Sequence, residues 1–175
     1  MQQKKKGFSL IELLIVVAII LIIAAIAIPN LMRARIAANE SAGASTVRTL
    51  NTAEVTYSTT YPGLGFSPNL TNLGPNSQDC TVASNVTSTS ACLIDNVLGM
   101  TPFTKGAFVF EITNPSKTST PPIPDYLITA TTIGTAMAKK NYCANTDAVV
   151  RWVAETATPG TKIGGATACN GLPAI

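Results

Sequence analysis

The pattern of apolar and polar positions divides this chain of 175 residues into an apolar segment, an amphipathic segment and a mixed remainder. Residues 8–28 read FSLIELLIVVAIILIIAAIAI, in which 19 of 21 positions are apolar and Ser9 and Glu12 are the exceptions. At about 1.5 Å per residue, an α-helix of this length spans about 31 Å, which matches the roughly 30 Å hydrocarbon core of a bilayer. The pattern therefore predicts a helix that can cross a membrane once.

Helical character continues beyond Pro29, now with one apolar face. The apolar positions recur at spacings of three, seven and four residues, and they are Val47, Leu50, Tyr57 and Tyr61. Pro62 and Gly63 then stop the helix. We predict one helix from residue 8 to about residue 60, roughly 80 Å long, whose amphipathic part occupies residues 29–61. Proline removes an intrahelical hydrogen bond, so Pro29 is expected to kink the helix or loosen it locally.

Residues 62–175 predict a globular head. Residues 62–104 read as a loop region with short elements and a staple, because 24 of these 43 residues are Pro, Gly, Ser, Thr or Asn. Four later segments are rich in β-branched and aromatic residues and are bounded by turn residues: Lys105–Thr113, Asp125–Ile133, Ala136–Cys143 and Ala148–Glu155. They predict a four-stranded antiparallel sheet over residues 105–155, followed by a C-terminal tail over residues 156–175. Packed on the amphipathic helix, this sheet gives an α+β fold with one core.

Composition excludes several classes of function. The chain contains no histidine, and its 12% charged residues are about half of the usual roughly 25%. Nucleophile systems and metal sites that need histidine cannot be built, and a charged fraction this low argues against a surface that binds nucleic acid directly. Without paired carboxylates either, we expect no enzymatic activity, no cofactor and no metal site.

The net charge of +3 is confined to the N-terminus. Lys4, Lys5 and Lys6 precede the apolar stretch, and without them 12 − 3 = 9 basic residues balance 9 acidic ones. By the positive-inside rule, this run keeps the N-terminus cytoplasmic and sends the C-terminal part across the membrane. A secretory signal peptide is one alternative, but its apolar core would be shorter. A generic anchor leaves Glu12 unexplained, because a carboxylate in hydrocarbon costs a few kcal/mol and needs a partner.

The N-terminal pattern resembles the class III leader of type IV pilins and type II secretion pseudopilins. The shared features are a basic run, Gly7 before Phe8, the lone Glu12 and an apolar stretch closed at Pro29. The resemblance implies a pilin-like fold and cleavage between Gly7 and Phe8, which removes residues 1–7 and exposes an amine for methylation. It also implies that Glu12 neutralises the N-terminal amine of a neighbouring subunit, a group that is largely cationic near neutral pH.

The resemblance further implies a structural function. The chain would be a prepilin that polymerises through its N-terminal helix into a type IV pilus for adhesion, motility or DNA uptake. Its partners would be other copies of itself, the prepilin peptidase and methyltransferase, an inner-membrane assembly platform with its ATPase and, before assembly, membrane lipid. It would lie in the inner membrane first and at the cell surface, or in a periplasmic pseudopilus, afterwards. The alternatives are a pseudopilin of a type II secretion system and a minor membrane-anchored adhesin or receptor pilin.

Four cysteines follow the membrane segment and would lie on its oxidising side. They allow three pairings. We favour Cys80 with Cys92 and Cys143 with Cys169, because local closures need no special topology. The second pair also resembles the disulfide-bounded C-terminal loop of many pilins. A four-cysteine zinc site is the alternative, although the chain has no CxxC spacing.

Overall fold

The computed structural model describes residues 8–116, 120–155 and 160–175. The chain divides into two compact units, Met1–Arg35 and Ile36–Ile175. The predicted leader, residues 1–7, lies outside the described residues, and so does Gly7 at the predicted cleavage point.

Helix α1 spans Leu10–Thr60 and confirms the prediction of one long N-terminal helix. It continues through Pro29 and ends just before Pro62, where the Tyr61 amide still donates to the Tyr57 carbonyl at 2.9 Å. Its buried residues lie between positions 43 and 57: Gly43, Ala44, Val47, Leu50, Asn51, Ala53, Glu54 and Tyr57. The part of the helix between residues 43 and 57 therefore packs within the head.

The head contains an antiparallel sheet whose strands follow one another in chain order. The strands are β1 (Thr104–Lys105), β2 (Phe108–Thr113), β3 (Leu127–Thr132), β4 (Lys140–Asn145) and β5 (Arg151–Ala154). The α+β prediction is confirmed, but the predicted number of four strands is wrong, since the described residues form five. Gly106 adopts a φ of +62° and turns the chain inside the predicted segment 105–113, which splits off β1.

The predicted third strand also begins later than expected. The sequence pattern placed it at residues 136–143, whereas β4 spans Lys140–Asn145. The amides of Met137 and Ala138 both donate to the Gly134 carbonyl, at 2.9 and 3.3 Å, so this part of the segment is a turn. Turn formation here uses the backbone donors that a strand ladder would need.

The main core lies between α1 and the inner face of the sheet. Strand β2 alternates in burial, with Phe108, Phe110 and Ile112 buried and Val109 and Thr113 exposed. This period of two is the expected pattern for a strand with one face on a core. The residues of α1 that complete this core include Val47, Leu50 and Tyr57, all of them at most 1% exposed.

Strands β3 and β4 are buried on both faces, because the C-terminal tail covers their outer side. All six residues of β3 are buried, and Leu127 belongs to a second, smaller cluster with Cys143 and Cys169. Helix α4 (Ala166–Asn170) carries Cys169 to this position. The tail then runs beside β5, where the Ile175 amide donates to the Val150 carbonyl at 3.1 Å.

The loop region 62–104 contains short capped elements. Helix α2 (Leu70–Leu73) is capped by Asn69, whose side chain accepts from the Asn72 amide, and helix α3 (Asn96–Gly99) is capped by Asp95. A 3-10 turn at Ala83–Asn85 lies between them. Asparagine and aspartate at these positions satisfy amides that a helix start otherwise leaves unpaired.

Candidate functional site

The first half of α1 exposes nearly all of its large apolar side chains. These include Leu10, Ile11, Leu14, Ile15, Ile19, Ile20, Leu21, Ile22, Ile23, Ile26, Ile28, Leu31 and Met32. Among the described residues, α1 is the one helix that is long and apolar enough to cross a membrane. A contiguous apolar surface of this extent is unfavourable in water and requires lipid or protein to cover it.

Phe8 lies two residues before α1 begins, at the first described position of the chain, and is 77% exposed. The Ser9 carbonyl accepts from the amides of Glu12 and Leu13, at 3.1 and 3.3 Å, and so starts the first helical turn. Phe8 is thus accessible on the N-terminal side of that turn. A new amine at this position would lie close to the first turn, which also carries Glu12.

Glu12 is exposed in the first turn of α1 and lies within the apolar stretch. In the part of the chain that the structure describes, it has no salt-bridge partner. A carboxylate near a helix N-terminus interacts favourably with the helix dipole, but that interaction is worth only about 0.3–1 kcal/mol. Dehydrating Glu12 therefore requires a positive group from outside the described chain.

Pro29 lies within α1 and is exposed. Because proline has no N–H, the carbonyl oxygen of Ala25, four residues earlier, receives no helical hydrogen bond from position 29. Arg33 and Arg35 follow this point, are exposed, and have no salt bridge to any described residue. The helix therefore changes at Pro29 from an apolar surface to one that carries charge.

The four cysteines form two disulfides in the head and take no part in the surface of the first half of α1. Cys80 is bonded to Cys92 and Cys143 to Cys169, with Cα–Cα distances of 5.8 and 6.0 Å. These are the pairings that the sequence analysis favours over a zinc site. No group of three or more potential metal-ligating side chains occurs within residues 8–116, 120–155 and 160–175.

Asn39 and Glu40, which sequence reasoning missed, hold α1 to the turn before β4. The Asn39 side-chain amide donates to the Met137 carbonyl at 2.7 Å, and Glu40 accepts from the Lys139 amide at 3.1 Å. Glu40 also pairs with Lys140 at 3.5 Å. Both residues are polar and lie at the edge of the buried helix face, so hydropathy alone does not distinguish them from solvated positions.

Glu54, also missed, is a carboxyl group inside the main core. It is 0% exposed, and its Oε2 accepts from the Ser67 amide at 2.8 Å. Burial raises the pKa of Glu54 to about 8, while the hydrogen bond from Ser67 acts in the opposite direction. One signal was available in the sequence, because Glu54 lies four residues after Leu50 and three before Tyr57, on the apolar stripe of the helix.

The comparisons with known proteins match the N-terminal part of the chain. A family model of the prokaryotic N-terminal methylation motif matches residues 2–28. Over 36 residues of its N-terminal part, the chain is 67% identical to the type IV wide pilus major component PilA4 of Thermus thermophilus. That match covers 21% of this chain and 28% of the relative. No solved structure matches the chain.

The match to residues 2–28 coincides with the features that the structure leaves exposed. It includes Phe8 and Glu12 and ends one residue before Pro29. The described part of this segment is helical from Leu10 onwards and has an exposed apolar surface. This chain therefore carries at its N-terminus the prokaryotic N-terminal methylation motif, the class III leader of type IV pilins.

Proposed function

We propose that the chain is a prepilin, the precursor of the structural subunit of a type IV pilus. It is cleaved after Gly7, methylated at the new amine of Phe8, and polymerised through its N-terminal helix. The observation that carries this proposal is the exposed apolar half of α1 within a methylation motif. Such a surface is covered first by lipid and then by the same helices of other copies, so one segment serves both as an anchor and as a filament core.

Glu12 is proposed to pair with the amine of Phe8 from a neighbouring copy. Cleavage creates one cation for each subunit, and Glu12 is the carboxylate of the apolar segment without a described partner. Attraction between the two charges strengthens as water is excluded, and a subunit placed in a wrong register leaves both charges buried and unpaired. The pair would therefore act mainly on the register of assembly.

The proposed division of the chain follows from this assembly route. Residues 1–7 form the leader, residues 8–28 the membrane and filament-core helix, residues 29–61 the amphipathic helix, and residues 62–175 the head. Before assembly the chain would cross the inner membrane once, with Lys4–Lys6 on the cytoplasmic side. There it would meet the prepilin peptidase and methyltransferase, the assembly platform and its ATPase.

We propose a pilus rather than a type II secretion pseudopilus, and a structural subunit rather than an enzyme. The relative from Thermus thermophilus is a major component of a wide pilus, which favours the first choice. The two disulfides that staple the loop region and the C-terminal tail suit a head exposed outside the cell. Adhesion, motility and DNA uptake are the processes that such a filament would serve.

Intact mass spectrometry of sheared surface filaments tests this proposal. We expect a chain that begins at N-methylated Phe8 with all four cysteines oxidised. A Gly7→Phe variant is the matched control, because a bulky residue should block entry of the extended backbone into the peptidase and leave the chain uncut. Absence of the wild-type chain from the filaments, or a processed Gly7→Phe variant, would contradict the proposal.

A further inference from the structure

Glu54 contacts the head through one of its two carboxyl oxygens. Oε2 accepts from the Ser67 amide at 2.8 Å, whereas Oε1 is buried and has no hydrogen-bond partner among the described residues. Ser67 is itself only 1% exposed. A buried carboxylate normally accepts several hydrogen bonds or pairs with a cation, and this one accepts a single bond.

The Ser67 amide belongs to a segment that connects α1 to α2, here named the docking segment and comprising residues 64–69. The backbone of this segment also pairs with Ile123. The Ile123 amide donates to the Leu64 carbonyl at 2.8 Å, and the Ile123 carbonyl accepts from the Phe66 amide at 3.0 Å. Ser67 Oγ donates to the Asn69 carbonyl at 2.6 Å, just before α2. Glu54 therefore fixes the middle of the docking segment to α1.

The titratable groups that face Glu54 are tyrosines. Tyr57 approaches from α1 and Tyr126 from the start of β3, and burial is the main cause that raises the pKa of each phenol. Their hydroxyls donate elsewhere, from Tyr57 to the Ser88 carbonyl at 2.7 Å and from Tyr126 to Asn51 Oδ1 at 3.2 Å. A further charge in these surroundings is Asp147, whose negative charge acts on Tyr126.

No positive charge compensates Glu54 in the described chain. It has no salt bridge to any described lysine or arginine, and residues 62–78 contain no titratable side chain. The carboxyl therefore lies in apolar surroundings with one amide donor. A neutral acid fits this site, whereas a carboxylate there pays the desolvation cost without a counter-charge.

We propose that Glu54 and the docking segment form a proton-dependent latch, closed while Glu54 is protonated and released when Glu54 loses its proton to solvent. On release the carboxylate becomes hydrated and its bond to the Ser67 amide breaks. The docking segment between α1 and α2 is then no longer fixed to α1 at its middle. The latch lies within residues 36–175 and does not depend on the proposed function.

The pH window of the latch follows from the two states of Glu54. The pKa of the closed state is about 8 and the ordinary carboxyl value is 4.5. The open state therefore loses its proton first as the pH rises, and the opening constant increases by up to about tenfold per pH unit between these values. Above the higher value both states are ionised and the constant levels off.

Hydrogen exchange of the full chain in detergent micelles tests the latch between pH 5 and 9, after correction for the base catalysis of exchange itself. In the wild type we expect peptides that cover residues 64–69 to lose at least 100-fold of their protection between pH 5 and 8. In Glu54→Gln, which cannot ionise but can still accept from the Ser67 amide, protection should be independent of pH. Glu111→Gln, at a partly exposed acid of β2 that pairs with Lys162, should behave like the wild type.

Protection in the wild type that does not change with pH, or a parallel loss in Glu54→Gln, would overturn the proposal. If Glu54→Gln does not fold, carbon-13 NMR of the wild-type carboxyl groups decides instead. A glutamate that titrates near pH 8 supports the latch, and titration of every glutamate below pH 6 refutes it. Absorbance of tyrosinate identifies any contribution from Tyr57 and Tyr126.

Discussion

The ring of Phe108 lies in the space where any residue other than glycine at position 43 would place its Cβ. An ideal Cβ on Gly43 would lie 2.6 Å from Phe108 Cε2. The ring is 1% exposed, and the rings of Phe110 and Tyr142 lie beside it at centroid distances of 6.2 and 5.8 Å. The missing side chain of Gly43 therefore sets how closely α1 approaches β2.

Gly43→Ala should destabilise the head by up to about 2 kcal/mol. The clash with an enclosed ring costs roughly 1–3 kcal/mol, and a gain in helix propensity of about 1 kcal/mol offsets part of it. The measurement is urea denaturation of the full chain in detergent, followed by the near-UV circular dichroism of the tyrosines. Gly63→Ala is the control, because a Cβ there meets no atom within 4 Å. A Gly43→Ala variant more stable than the wild type would contradict the contact.

Glu12→Ala should leave the chain processed and inserted in the membrane but poorly assembled. In the proposed function the peptidase would cut before Phe8 without using the carboxylate, whereas each assembled subunit would leave one N-terminal amine without its counter-charge. The measurements are the mass of the membrane-bound chain and the yield of sheared filaments. Glu111→Ala removes a partly exposed acid that pairs with Lys162 in the head and should assemble normally. Normal filament yield from Glu12→Ala would refute the pairing role.

Stability should fall as the pH rises from 4.5 to 8. Burial raises the pKa of Glu54 from 4.5 to about 8, so the unfolded chain releases this proton first as the pH rises. This ionisation stabilises the unfolded chain relative to the folded state. The slope is at most about 1.4 kcal/mol per pH unit and ends near pH 8. Glu54→Gln should remove this slope and be more stable than the wild type at pH 8, as measured by denaturation at several pH values.

Asp147→Asn is the contrasting variant for this measurement. The hydrogen bond from Arg151 lowers the pKa of Asp147, so its contribution is present above the ordinary carboxyl pKa and is lost as the pH falls. Its replacement should leave the slope between pH 5 and 8 unchanged. A wild-type chain that is equally stable at pH 5 and pH 8 would show that Glu54 does not fold as a neutral acid.

The two disulfides should differ in how readily they are reduced. Cys80 is exposed, whereas Cys143 and Cys169 are both 0% exposed in the cluster under the C-terminal tail. Thiol–disulfide exchange requires access to a sulfur atom. A hydrophilic thiol should therefore open Cys80–Cys92 first in the folded chain, as followed by alkylation and peptide mass mapping. In urea both should open, and equal rates without urea would contradict the prediction.

Much of the fold could be predicted because its signals are local. The apolar stripe and the turn at Pro62 predicted a helix ending near residue 60, and α1 ends at Thr60. Alternation and turn residues predicted an antiparallel sheet. The strand boundaries could not be predicted, because Gly106 and the turn after Gly134 use backbone geometry that a strand pattern does not reveal.

The N-terminal site could also be predicted from the sequence, because its signals are local. In the proposed function a peptidase would recognise Gly7 and Phe8 as neighbours in the chain, and the apolar character of residues 8–28 does not depend on what the head contacts. The site is therefore predicted without tertiary information by the hydropathy, the order of charges and the position of Glu12. The match of a methylation motif to residues 2–28 agrees with that interpretation.

The tertiary structure alone sets the contacts between residues that are distant in sequence. The burial of Glu54 on the Ser67 amide, the close approach of Gly43 to Phe108 and the second cluster around Cys143 all depend on which segments meet. A local pattern records the polarity of a side chain but not the solvent it loses when another segment packs over it. In this protein, local residue patterns are enough to specify the long helix and its motif, whereas packing places the buried acid in the head.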